Sequence, residues 1–312
     1  MLLVIFHIAP SLDGVYNGWR KFQWIGVLDG NEQGNFYMNV GTLLRCGDVT
    51  ERRIAFFREA GLDCLQIAGV YEDWLAPTPE ARKASDELFD LFKKYVMAVP
   101  SLFLSYTGQN WDNPEETVGL VPAATRSERM VATCRQMEWA ARRGIRLVSC
   151  HAGFLSGERD AFHARFVDDM KQLLRFAAAC GQEFLFETGS ETAEGLNQLL
   201  EDIGEPNAGI NFDPANILIY GKGDPAQFAE KLRSRIKLVH CKDANPPAAE
   251  AVRGRETPLG KGSTNFATLL KRVLDSGFQG PLVIERELPP GPEQEKDVAE
   301  AVKFLNSIVK GH

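Results

Sequence analysis

Four short apolar runs, each closing on a residue able to bind a metal ion, constrain this chain more than anything else in it. FLFE ends at Glu187, GINFD at Asp213, IKLVH at His240 and PLVIE at Glu285. The first three end residues are 26 and 27 positions apart, about one strand plus one helix. The last gap, 45, is one such unit with a long loop added. Four ligands at the carboxyl ends of successive parallel strands converge on the mouth of a β/α barrel. Taken singly, each is an ordinary strand-end acid or a core histidine; the joint pattern carries the argument.

The rest of the chain keeps the same rhythm. Strand patterns fall at 36–44, LDCLQIAGV, VMAVPSLFLSY and IRLVSCHAG, and helical patterns separate them. Asp48 is the expected cap of the helix VTERRIAFFREA, and Thr78–Tyr95 opens on a Thr–Pro start signal. Further helices are expected at Arg126–Arg143, Asp160–Ala179, Ala193–Ile203, Pro225–Ser234, Phe266–Ser276 and Glu293–Val309. Pro100 predicts a bend or an irregular start in the third strand. Alternating strands and helices predict a parallel sheet. An eightfold barrel takes about 250 residues, so 312 residues allow one barrel with additions. We read residues 1–35, rich in turns, as an N-terminal extension and 36–312 as a single (β/α)8 TIM barrel domain. The connection Thr107–Ala124 is long for a compact domain, and such loops are usually functional. It follows the third strand, so it should cover the barrel mouth with Trp111 walling the pocket.

Composition removes several classes. A net charge of −7 gives no electrostatic footprint for nucleic acid. The six cysteines are scattered without a CxxC pair and read as reduced thiols. MLLVIFHIAP lacks a charged leader region and is too short to span a bilayer. A cytoplasmic protein with no nucleic-acid or membrane partner is the default expectation. A homo-oligomer is compatible with this sequence, which does not specify one.

Three carboxylates and one imidazole make a hard-to-borderline ligand set, suited to one divalent ion: Mn²⁺, Mg²⁺, Co²⁺ or Zn²⁺. Such an ion acts as a Lewis acid toward a sugar carbonyl and stabilises the enediolate left when the α-proton departs. Glu187 and Glu285 sit on non-adjacent strands and are placed to carry protons on opposite sides of a substrate. That gives epimerisation, or isomerisation if the proton returns to the neighbouring carbon. His151 ends the fourth strand at the same level. Lys242 shares the parity of His240 and points inward with it. Asn216, Arg255 and Trp111 complete the candidate substrate contacts. The GKG at Gly260–Gly262 is a candidate phosphate loop.

The segments VSCHAGF, FLFETG, GINFDPANILIYGKGDP, VHCKDA, PLGKGSTNF and GPLVIERE together resemble the sugar phosphate isomerase/epimerase family, the xylose isomerase-like TIM barrels. The resemblance runs from about Phe36 to Val309. It implies that Glu187, Asp213, His240 and Glu285 bind one divalent ion and that the two glutamates are the acid/base pair. It implies a small sugar or keto-sugar as substrate. Several related epimerases carry a histidine three residues after the metal-binding aspartate, where this chain has Asn216, so ketose 3-epimerase specificity does not transfer. Dehydratases of keto-polyols belong to the same family and are the second reading. A catalytically silent sugar-binding barrel is the third. An endonuclease built on three zinc ions needs more histidines than the five present.

Overall fold

A computed structural model describes residues 39–155 and 157–309. The expected extension, residues 1–35, lies outside the described residues. Eight parallel strands close into a barrel: β1 (Val40–Arg45), β2 (Cys64–Ala68), β3 (Ala98–Phe103), β4 (Leu147–Cys150), β5 (Glu183–Glu187), β6 (Ala208–Phe212), β7 (Ile236–Cys241) and, after a two-stranded ribbon of β8 (Asp243–Asn245) and β9 (Arg255–Thr257), β10 (Leu282–Ile284). Each strand pairs with its sequence neighbours in the ring, and β10 pairs with β1 to close it. The chain thus forms a (β/α)8 barrel.

The helices are α1 (Glu51–Glu59), α2 (Pro79–Lys94), α3 (Pro114–Thr117), α4 (Ala123–Arg142), α5 (Ala161–Ala179), α6 (Ala193–Ile203), α7 (Pro214–Ile219), α8 (Pro225–Leu232), α9 (Phe266–Asp275) and α10 (Pro292–Val309). Their starts follow capping chemistry. The side chains of Thr50, Thr78, Asp160 and Thr192 each accept from the backbone N–H three residues on, satisfying an otherwise orphaned donor. Thr50, not Asp48, caps α1, and Asp48 lies in a short 3-10 turn before it. Helix α7 interrupts what reads in sequence as a loop after the sixth strand. None of the helices among the described residues is long and apolar enough to cross a membrane.

Strand parity sorts the barrel interior into levels. Leu185, Leu238 and Val283, with Leu43 and Leu147, form a small apolar cluster separate from the main core. Two residues farther along β5 and β7, and just past β10, come Glu187, His240 and Glu285, which parity places on the same inner face one level higher. A neutral polar belt of Gln66, Ser101, Ser149 and Asn211, all fully buried, lies around the ring. The large outer core of Phe, Leu and Ile packs the opposite strand faces against the helices. At Pro100 the pairing is irregular, with a register shift: Cys64 pairs with Ala98 but Gln66 with Ser101.

Candidate active site

The four strand-end residues meet. One ligand atom from each of Glu187, Asp213, His240 and Glu285 lies within 4.8 Å of all the others. Ligands on opposite sides of one ion at about 2.0–2.4 Å stand up to about 4.8 Å apart, so the cluster has the span of a single-ion site. His240 Nδ1 lies 2.9 Å from Glu187 Oε1, 3.1 Å from Glu285 Oε2 and 3.7 Å from Asp213 Oδ2. Asp213 Oδ2 is buried without a hydrogen-bond partner among the described residues. Its other oxygen caps α7 by accepting from the Asn216 N–H. The Thr188 hydroxyl grips the Asp213 backbone at both ends, donating to its carbonyl and accepting from its N–H, each at 2.8 Å. Three carboxylates gathered in a water-poor site repel one another, and a divalent cation would offset that repulsion. The residues present therefore fit such an ion.

The electrostatics are asymmetric. Burial pushes the Glu187 carboxyl up to about 7, against the opposing hydrogen bond from His240. Burial acts on Glu285 in the same sense, but Lys242 and His240 override it and hold the carboxyl well below the usual range. For His240 burial favours the neutral ring, yet Glu285, Asp213 and Glu187 together raise it well above its ordinary value.

Lys242 is buried at the edge of this cluster. Its ammonium donates to Glu287 Oε1 at 2.7 Å, to Glu285 Oε2 at 3.1 Å and to Asn216 Oδ1 at 3.3 Å, and lies 3.5 Å from Asp213 Oδ2. Asn216 thus both opens α7 with its N–H and holds Lys242 with its side chain. Gly189 makes this approach possible, because a Cβ there would lie 2.5 Å from Asn216 Cβ.

His151, just past β4, has both ring nitrogens buried and without a hydrogen-bond partner among the described residues. Burial and the Lys242 charge lower its imidazole to about 3, so the ring is neutral. Three aromatic rings surround it: Trp111 at 5.2 Å, Phe154 at 5.2 Å and Tyr220 at 5.9 Å between centroids. Trp111 also stacks over Tyr220 and stays 40% exposed. The loop after β3 therefore reaches the carboxyl ends of the strands, where sequence placed it.

Two expectations change. Arg255 is exposed on the β8–β9 ribbon, opposite Asn245. Its neighbour Glu256, on the other face of the strand, is the one that turns in, pairing with Arg286 and accepting from the Glu287 N–H. The Gly260–Gly262 amides are also committed. Gly260 and Gly262 donate to Asp243 Oδ2 at 3.1 and 3.0 Å, and Lys261 donates to the Pro258 carbonyl. No amide of that segment is left for a phosphate.

Asp243 and Gln66 were not singled out in the sequence. Asp243 also accepts at Oδ1 from the N–H groups of Ala244 and Thr264 and from the Thr264 hydroxyl. Gly262 has no room for a side chain, since a Cβ would lie 2.3 Å from Asp243 Oδ1. Gln66 Oε1 lies 2.7 Å from His240 Nε2. A lone amide inside the apolar run LDCLQIAGV was the available signal. A further buried acid, Glu191, has one oxygen without a hydrogen-bond partner among the described residues. Burial raises it from 4.5 to about 7.

Comparison with known proteins follows the geometry. Residues 54–308 match the family model described as xylose isomerase-like TIM barrel. The structure superposes on a xylose isomerase domain protein from Planctomyces limnophilus with a TM-score of 0.79 and 30% identity, covering 88% of this chain and 98% of that one. Among curated proteins, a rhizopine catabolism protein of Rhizobium meliloti is 28% identical over 160 residues, 47% of this chain and 49% of that protein. An inosose dehydratase of Clostridium botulinum (strain Alaska E43 / Type E3) is 28% identical over 137 residues, 39% of this chain and 46% of the relative. The chain thus spans about half the length of the curated relatives it matches.

Proposed function

The chain belongs to the xylose isomerase-like TIM barrel family, and from that premise we propose that it is a divalent-metal-dependent isomerase or epimerase of a small sugar or keto-sugar. The observation that carries this reading is the pairing of Glu187 and Glu285. They stand at the ends of β5 and β10, with β6 and β7 between them in the ring, and one oxygen of each lies within about 3 Å of the same imidazole nitrogen. Two carboxylates thus approach one small volume from two sides.

Glu187, Asp213, His240 and Glu285 would hold the ion, which when bound supplies Lewis-acid stabilisation of negative charge on a substrate oxygen. The remaining work falls to side chains. One glutamate removes the proton from the carbon next to the carbonyl, and the other returns a proton to the opposite face or to the neighbouring carbon. Lys242 fixes Glu285 and Glu287 and keeps Asn216 turned into the site. His151, neutral and with both nitrogens free, is suited to give one hydrogen bond and take another from substrate hydroxyls. Trp111, Phe154 and Tyr220 exclude water and offer flat apolar surface to the C–H face of a sugar.

The match to an inosose dehydratase supports a second reading, elimination of water from a keto-polyol. It begins with the same proton abstraction; the hydroxyl on the next carbon then leaves, taking up a proton to become water. One experiment addresses both. The protein with Mn²⁺ is incubated in D₂O with a panel of keto-sugars and keto-inositols and followed by NMR. Deuterium at the carbon next to the carbonyl with an inverted or isomerised product supports the first reading; loss of that hydrogen to give an enone, or its diketone with deuterium on the carbon that lost the hydroxyl, supports the second. Conversion without solvent deuterium and with the original hydrogen retained would point to hydride transfer and end both.

A further inference from the structure

We infer that Gln66, on β2 and three strands round the barrel from β7, is a positioning residue that presents the Nδ1 atom of His240 to the ligand cluster. The inference rests on the metal-dependent reading above. His240 has two ring nitrogens, and a neutral imidazole can offer a lone pair from only one; the hydrogen bond made by the other decides which. Nδ1 faces Glu187, Glu285 and Asp213. Nε2 faces Gln66 Oε1 at 2.7 Å, across 174 residues of sequence. A carbonyl oxygen can only accept, so this contact places a hydrogen on Nε2, and in the neutral ring that leaves the Nδ1 lone pair for a ligand.

The other end of the Gln66 amide is held as well: its Nε2 donates to Ser149 Oγ at 3.2 Å, with the oxygen end turned to the imidazole. Asn211 lies beside the same nitrogen, with Nδ2 3.0 Å from His240 Nε2. Side-chain amide nitrogen and oxygen are interchangeable in such assignments. Turned about, Asn211 would present its unpartnered Oδ1 to the ring as a second acceptor. The Phe103 ring, 5.9 Å away and tilted by 32°, bounds one side of the imidazole. Gln66, Ser149, Asn211 and His240 are all fully buried, so water does not take over the acceptor role. The partner is a neutral amide, where many metal-binding histidines use a carboxylate. It orients the ring without adding a fourth negative charge to a site that already holds three.

The test uses the full-length protein and Mn²⁺ as the probe. Gln66→Leu and Gln66→Met keep volume and remove the acceptor, and Gln66→Glu keeps an acceptor while losing the donor to Ser149. Affinity is measured by calorimetry and expressed per folded molecule, with circular dichroism reporting the folded fraction. Removing a hydrogen-bond partner of a ligating histidine typically costs about 10–100-fold in affinity. That loss is expected in the leucine and methionine variants, with most of it restored in the glutamate variant. Unchanged affinity in a folded leucine or methionine variant overturns the inference, whatever happens to thermal stability. The wild type gives an independent readout that no folding defect can obscure. In the Zn²⁺-loaded protein, imidazole ¹⁵N spectra should show the His240 hydrogen on Nε2; finding it on Nδ1 also overturns the inference. Absence of any divalent-ion binding by wild type would instead refute the functional reading on which it rests.

Discussion

Two buried acidic centres lie at the end of β7, and they are built in opposite ways. Asp243 accepts five hydrogen bonds, four from backbone N–H groups and one from a hydroxyl. Both oxygens are committed, and the loop that supplies the donors is pinned to it. Three residues earlier, His240 sits among Glu187, Asp213 and Glu285, whose oxygens point at one another and at one imidazole nitrogen. There Asp213 keeps an oxygen with no hydrogen-bond partner among the described residues. The first arrangement is complete within the protein. The second, although Lys242 and His240 adjoin it, leaves a carboxylate oxygen without a donor among the described residues, and such an oxygen can take a cation. Burial is common to both, and satisfaction by donors is what sets the two centres apart.

The contrast can be tested in descending order of effect. Glu187→Gln and Glu285→Gln keep volume but cannot accept a proton near neutral pH. Each is expected to lower turnover by at least about 10²–10⁴-fold, the usual worth of general acid–base catalysis, while leaving the fold intact. Steady-state kinetics with circular dichroism checks this, and full activity in either variant breaks the acid/base assignment. Asp243→Ala should do the reverse. It strands several buried donors and should cost about 3 kcal/mol in denaturant unfolding, with Mn²⁺ affinity per folded molecule changed only a few-fold. A large loss of affinity at unchanged stability would merge the two centres into one.

Metal linkage is a smaller effect. At about 100 times its dissociation constant a ligand of the native state adds about 2.7 kcal/mol of stability. Mn²⁺ should therefore raise the melting temperature, a chelator should reverse the shift, and Asp213→Asn should abolish most of it. A wild-type melting temperature indifferent to both additions would count against the ion.

Glu191 sharpens the comparison from a third side, as a buried acid that is neither saturated by donors nor part of the cluster. Its folded-state pKa is raised from 4.5 to about 7. Between those values the unfolded chain releases a proton that the native protein retains. The stability it contributes is therefore fully present below about 4.5 and lost as pH rises through about 7. Glu191→Gln should flatten that slope and make the protein more stable at pH 8, by on the order of 1–3 kcal/mol. Unfolding curves at pH 5 and pH 8 for both proteins decide it, and parallel slopes would remove Glu191 from this category.

The sequence made the barrel and its four strand-end residues legible because both are local signals. Strand length, helix length and parity are set by a residue and its near neighbours, so Glu187 and His240 could be placed at one level by counting. Helix caps were readable for the same reason, although Thr50 displaced Asp48 by two positions. The short helix α7 was hidden because its first-turn cap, Asp213, had already been read as a strand-end acid; it serves both roles.

What the linear pattern did not contain was the identity of partners across the ring. Whether Gly260 and Gly262 face a ligand or Asp243 depends on how the β8–β9 ribbon folds back, and the structure gives those amides to Asp243. Arg255 and Glu256 are adjacent in sequence, and the alternation of one short strand sends the first to solvent and the second inward. Gln66 meets His240 only because closure of the barrel brings β2, three strands round the ring, to face β7 across the interior. The sequence alone determined which residue types stand at the strand ends, since that follows from periodicity. The tertiary structure decided which of them are left unsatisfied, because hydrogen-bond satisfaction depends on neighbours tens to hundreds of residues away.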